Sequence, residues 1–143
     1  MKHLQYLVLL CAVCALSFFS VDKAQAKVHP VPTVYMFGFS ASFADSTIYF
    51  TDIQTIDSVW YDEKISYIEA RPYYSQQLKD YFAASMMPNR VCIVIYALTK
   101  KEIEKKYLKM KRLYSGDKKH ASYDIRYLTT NEFQFKRFPH EEQ

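Results

Sequence analysis

Along Thr33, Tyr35, Phe37, Phe39, Ala41 and Phe43 the odd-numbered positions form a nearly continuous apolar row. Between them Val34, Met36, Gly38, Ser40 and Ser42 pass from apolar to polar. Side chains alternate faces along a strand, so this pattern predicts one face buried throughout and the other only near its start. Ala44-Asp45-Ser46 predicts a turn, because Asp and Ser can bond the local backbone. Thr47–Ile53 resumes a β-branched and aromatic run suited to a pleated surface. The stretch Val34–Asp57 therefore predicts a long β-hairpin, around which the rest of the chain is organised. Gly38, one of only two glycines, lies inside the strand pattern and predicts a bulge or a close approach by a neighbouring backbone. Its functional counterpart is room for a ligand over the sheet.

The remaining pattern supplies cover for that hairpin. Lys27–Pro32 is an extended lead, since each proline biases the residue before it away from helix. Ser58–Pro72 is hard to read; Asp62-Glu63-Lys64 predicts a turn and Ile65–Ile68 a short strand. Pro72 opens a helix in which Tyr74, Leu78, Tyr81 and Phe82 make one apolar stripe, and Ser85–Arg90 closes it. Val91–Leu98 is a continuous apolar run, the pattern of a strand buried on both faces, and is placed centrally in the sheet. Thr99–Ser115 is the clearest helix. Thr99 and Glu102 have capping-box spacing, Ile103, Tyr107, Met110 and Tyr114 form its stripe, and Gly116 suits its C-terminal cap. Asp117–Ser122 is a polar loop, Tyr123–Leu128 a strand, and Glu132–Phe138 a second alternating segment with Phe133 and Phe135 inward. The prediction is a two-layer α+β fold. A mainly antiparallel or mixed sheet of four or five strands carries two helices on one face, in the order β-β-α-β-α-β with a possible extra C-terminal strand.

Met1–Ala26 reads as a secretory signal peptide. Lys2 and His3 precede an apolar run over Leu4–Phe19, and Ala24-Gln25-Ala26 fits the small-x-small cleavage pattern. The run is short for a span of about 20 residues, which argues against a retained anchor. Cys11 and Cys14 lie deep within it and lack a lipobox, which argues against lipidation. The expectation is a protein exported to the periplasm or secreted, with 27–143 forming one domain and no transmembrane segment after cleavage. Only Cys92 then remains, so no internal disulfide can form and the core must carry stability. With half of the chain hydrophobic and 17% aromatic, that core is well supplied.

Several chemistries lack support. His29, His120 and His140 stand far apart, in no zinc-like spacing, so no metal site is expected. Two isolated glycines exclude a Gly-rich phosphate loop, no nucleophile elbow occurs, and no cofactor is implied. Cys92, inside an apolar strand, is expected to act as a small buried hydrophobe rather than a nucleophile. Asp45, Asp52 and Asp57 cluster along the hairpin, but turn and strand-end positions explain Asp45 and Asp57, and solvent exposure explains Asp52. The balance falls against an enzyme. The most biased charge lies on the second helix, where Lys101, Lys105, Lys109 and Arg112 become candidate binding residues for an anionic surface, beside a solvated face as the plainer reading. Trp60, the single tryptophan, is a candidate stacking platform or a packing anchor. Nucleic acid is not expected, for no recognition motif accompanies the charge.

Phe37–Gln54 (FGFSASFADSTIYFTDIQ), Tyr73–Leu78 (YYSQQL) and Lys105–Lys109 (KKYLK) together resemble small exported proteins of Bacteroides-type bacteria whose function is uncharacterised. That resemblance implies export and a compact domain, and carries no activity. Arg90–Phe135 is similar to SPOR domains in its order of strand, helix and strand alone, a likeness of layout. Three functions follow: a non-enzymatic envelope or secreted interaction module, first; a glycan-binding domain for peptidoglycan or polysaccharide, from aromatic density; and a small hydrolase or transferase built around Asp45 or Asp52. The implied partners are an envelope protein, a glycan or an anionic surface.

Overall fold

The computed structural model describes residues 28–116 and 123–140. The signal-peptide segment with Cys11 and Cys14, the Asp117–Ser122 loop with His120, and the last three residues of the tail lie outside the described residues. Among the described residues no helix is long and apolar enough to cross a membrane.

Among the described residues six strands and two helices form an α+β fold with one mixed sheet: β1 (Val28–Ala41), β2 (Thr47–Thr51), β3 (Gln54–Asp62), β4 (Tyr67–Ile68), α1 (Arg71–Ala84), β5 (Val91–Ala97), α2 (Lys100–Tyr114) and β6 (Asp124–Leu128). The expected hairpin is present as β1 and β2, antiparallel. The chain then runs on past Asp52 and Ile53 into β3, so that β2 and β3 lie end to end along one side of β1. β1 is paired on both sides at Tyr35, Met36, Phe39 and Ser40, with β5 on the opposite side. β6 joins β2 in parallel and β4 joins β3 outside them.

Gly38 sits where the register steps. From Met36 to Phe39 β1 advances three residues while its partner moves four, from Gln54 to Phe50. The extra residue is a bulge, and the Gly38 N–H there donates to Thr51 Oγ1 at 2.8 Å in place of a ladder carbonyl. The expected close approach is also present, made by side chains: a Cβ at Gly38 would stand 2.6 Å from Leu78 Cδ2, 3.1 Å from Thr51 Cγ2 and 3.2 Å from Phe135 Cζ. Gly38→Ala is expected to cost about 1–3 kcal/mol in urea denaturation through overpacking. Because Leu78 is the nearest obstacle, Gly38→Ala with Leu78→Ala should cost less than the two changes summed.

Two corrections to the sequence reading concern faces and edges. The helices do not share one face. Even positions of β1 and β5 (Val34, Met36, Val94) pack with Tyr74, Leu78 and Phe82 of α1, whereas odd ones (Phe37, Phe39, Ala97) pack with Ile103 of α2. Both faces therefore carry a core and α1 and α2 lie on opposite sides. The polar look of the even row misled, because Gly38 and Ser40 are buried beneath α1 and the loop that follows it. At the other end of the pattern the strand stops at Ala41, and Phe43 protrudes from the turn, 98% exposed. The second correction is β5, which is an edge strand: among the described residues its only neighbour is β1. Its apolar run reflects cover from a helix on each face.

The C-terminal segment departs from prediction in form only. Phe133 and Phe135 are buried as expected, but residues 132–138 make no strand. Side-chain carboxamides hold the segment instead. Gln54 donates to Phe133 O (2.9 Å) and accepts from Phe135 N (2.8 Å); Gln77 donates to Lys136 O and accepts from Lys136 N, both 2.8 Å.

Candidate functional site: the free edge of β5

The backbone of β5 alternates between its two sides. Gly38 faces Val94 in the ladder, yet the Gly38 N–H is directed to Thr51, away from β5. The Gly38–Val94 pair is therefore not hydrogen-bonded, and Cys92, Val94 and Tyr96 turn their backbone groups outward. Two of the outward carbonyls are met by cations from the helices. Arg71 donates through Nε (3.2 Å) and Nη2 (3.0 Å) to Val94 O, and Lys106 Nζ donates to Tyr96 O at 3.0 Å. The outward N–H groups of Cys92, Val94 and Tyr96 and the Cys92 carbonyl find no partner among the described residues. Val91–Ala97 itself carries no charged side chain, unlike β6, where Asp124 and Arg126 stand on the strand. Charges on an edge strand are the usual guard against pairing with another chain. The β5 edge lacks that guard.

A groove of about 840 Å³ runs between this edge and α1. Arg71, Pro72, Ser75, Gln76 and Lys79 line it from α1, and residues 89–93, with Arg90 and Cys92, from the strand. Arg71, Lys79 and Arg90 bring positive charge, and among the described residues no carboxylate lines it. Arg90 is 5% exposed and fixes the floor. Its Nε donates to Ser40 Oγ (3.1 Å), Nη1 meets Asp45 Oδ2 (3.3 Å), and Nη2 donates to Thr47 O, while the Tyr49 and Phe82 rings stack at 4.9 and 5.5 Å. Arg71 and Lys79, by contrast, meet no carboxylate among the described residues.

The free edge makes a direct prediction for amide exchange. Cys92 and Tyr96, whose N–H groups point outward, are expected to exchange at least an order of magnitude faster than Ile93 and Ile95, whose N–H groups bond β1. Equal protection along β5, measured residue by residue, would mean the edge is covered.

The residues singled out from sequence are not brought together. Lys101, Lys105, Lys109 and Arg112 are exposed along the outer side of α2. Their neighbours Lys106 and Lys111 are engaged internally, Lys111 lying 4.9 Å above the Tyr127 ring. Trp60 is on β3, half-buried, with the His140 ring stacked on one of its faces at 4.1 Å. The three hairpin aspartates all serve the backbone or a neighbour. Asp45 accepts from Thr47 N and Arg90, Asp52 accepts from Thr130 N and Oγ1, and Asp57 accepts from Thr33 Oγ1. Cys92 is half-buried and donates toward Ser40 Oγ at 3.4 Å. Burial raises its thiol pKa, against the weaker opposing pull of the Ser40 bond, Arg90 and Lys79, which keeps it protonated and a poor nucleophile. No group of three or more metal-ligating side chains occurs among the described residues.

Arg71, Lys79 and Arg90 were missed by sequence reasoning. Composition offered one signal for them, the absence of charge along Val91–Ala97, and it fitted a central strand equally well.

No family model, curated protein or solved structure matches this chain.

Proposed function

We propose that this protein is an exported, non-catalytic interaction module whose working surface is the free edge of β5. The observation that carries the reading is the outward backbone of Cys92, Val94 and Tyr96, left without a neighbouring strand among the described residues, with a groove of about 840 Å³ opening beside Cys92. An extended segment can add to such an edge, taking affinity from main-chain hydrogen bonds and specificity from alternate side chains in the groove. The export half of the proposal rests on the Met1–Ala26 pattern.

The test is selection of a random heptapeptide library on the immobilised protein, followed by Cys92→Pro and Cys92→Ala. Proline removes one outward N–H and leaves the β1 ladder intact, because position 92 makes no ladder bond. Selected peptides are expected to lose binding to Cys92→Pro by tenfold or more and to keep it with Cys92→Ala. Equal binding to both variants, or an empty selection, would overturn the edge as the working surface.

A further inference from the structure

Resting on that reading, we infer that the segment received by β5 is an extended peptide with acidic side chains on one face, and that Arg71 is a displaceable cap which exchanges the Val94 carbonyl for a peptide carboxylate.

Val94 is the centre of the edge. This residue is fully buried, with Arg71 lying over its outward side and holding its carbonyl by two bonds. Its outward N–H, in a residue closed to solvent, has no acceptor among the described residues. A covered, unbonded donor is costly to keep. An added strand satisfies it: a peptide carbonyl accepts from Val94 N–H, and a peptide N–H takes over the carbonyl that Arg71 now holds. The guanidinium released by that exchange needs a new partner, and a carboxylate binds it in a two-point fork.

Helix geometry adds the spacing. Arg71 and Lys79 stand eight residues apart on the groove-lining side of α1, a rise of about 12 Å. Side chains four apart in an extended peptide share a face and stand about 13 Å apart. Two acidic residues at i and i+4 therefore match the two cations. Among the described residues the groove holds no carboxylate that would repel them.

Charge also decides against a second copy of this chain as the occupant. Pairing β5 with its own copy would bring Arg71, Lys79 and Lys106 of both molecules to one seam where, among the described residues lining the edge, the one acid is Glu102, already paired with Lys106 at 3.6 Å. Like charges at a shared edge oppose association.

The probe is a fluorescein-labelled peptide, Thr-Glu-Val-Thr-Val-Glu-Thr, capped at both ends and titrated with the protein at low salt. Three companions accompany it: one with Gln for both Glu, one with Lys for both Glu, and one methylated at alternate backbone nitrogens. The Glu peptide is expected to bind at least tenfold tighter than the Gln peptide. Its affinity should fall with salt, and it should fall at least fivefold in Lys79→Glu, where an exposed side chain changes without touching the core. The methylated peptide should not bind. If Glu and Gln peptides bind equally, acidic selectivity is overturned while the edge reading stands. If the methylated peptide binds as well as its parent, strand addition itself is overturned. If no peptide binds and the Cys92 and Tyr96 amides are unmoved, both fail. Dimer formation at the peptide-binding concentrations, seen by sedimentation, would overturn the acidic peptide in favour of a second copy.

Discussion

Arg90→Met is expected to destabilise the fold by about 3–5 kcal/mol, the usual cost of removing one partner from a buried charged network. For a domain of this size that corresponds to a fall in Tm of roughly 15–25 °C. Met fills much of the same volume, so the loss comes from groups left behind. The Thr47 carbonyl loses its side-chain donor, Ser40 Oγ is left with only the weak Cys92 thiol, and the Tyr49 and Phe82 rings lose the guanidinium that lies over both. Arg90→Lys should recover only part of the loss, because a point ammonium cannot serve three acceptors set around a planar fork. Asp45→Asn separates the causes. The Asp45 side chain is 46% exposed, so weakening that ion pair should cost under about 1 kcal/mol. A thermal melt in which Arg90→Met and Asp45→Asn lose equal stability would mean the ion pair, and not the buried bonds, holds this end of the sheet.

The same arginine explains what could and could not be read from sequence. Elements with a strong period were legible: the α1 stripe of Tyr74, Leu78 and Phe82, the Thr99 cap of α2, whose side chain accepts from Glu102 N, and the β1–β2 hairpin all fall where the pattern put them. Periodicity reports which face of a strand is apolar. It carries no information on which strand lies alongside, so Val91–Ala97, which meets a helix on each face at Val94 and Ala97 yet is open at one edge and exposed at Val91 and Ile93, has the same signature as a central strand. The assignment of helices to faces failed for a related reason. Ser40 looked like an outward polar position, whereas it is buried because a residue fifty positions later, Arg90, supplies its donor. Pairings at that separation are set by topology. Phe133 and Phe135 were legible as inward residues, but their amide clamps were not, because a glutamine bonded like a strand resembles any polar residue in sequence.

The candidate site follows the same logic. The lysines of α2 stand out in composition because charge clusters are visible along the chain, and the structure leaves them on a solvated stripe. Arg71 and Lys79 do not stand out, being single charges on an otherwise neutral helix. Their interest arises only when the fold sets them against an unpaired backbone.

Gln54→Leu is expected to cost about 2–6 kcal/mol, close to the effect at Arg90, although Gln54 carries no charge. Gln54 is buried, and its carboxamide completes the hydrogen bonding of Phe133 O and Phe135 N, which lie equally deep. Leucine leaves both backbone groups unbonded in an apolar setting, at about 1–3 kcal/mol each. Gln77 makes the same pair of bonds to Lys136 one step further along, at the surface. Water can replace a carboxamide there, so Gln77→Leu should cost less than about 1 kcal/mol. The contrast isolates burial from bonding, since the two clamps are chemically identical. Release of the segment should also expose Lys136 and Arg137 to trypsin, so faster cleavage there is expected in Gln54→Leu under native conditions. The Gln54 clamp fixes Phe133 and Phe135 against the α1 side of the core, with Phe135 filling the space above Gly38. Loss of the clamp should therefore lower the stability of α1 packing as well as freeing the tail. If the two glutamine variants prove equally stable and equally resistant to trypsin, the ring contacts alone hold the segment, and the amide pairs contribute direction without strength.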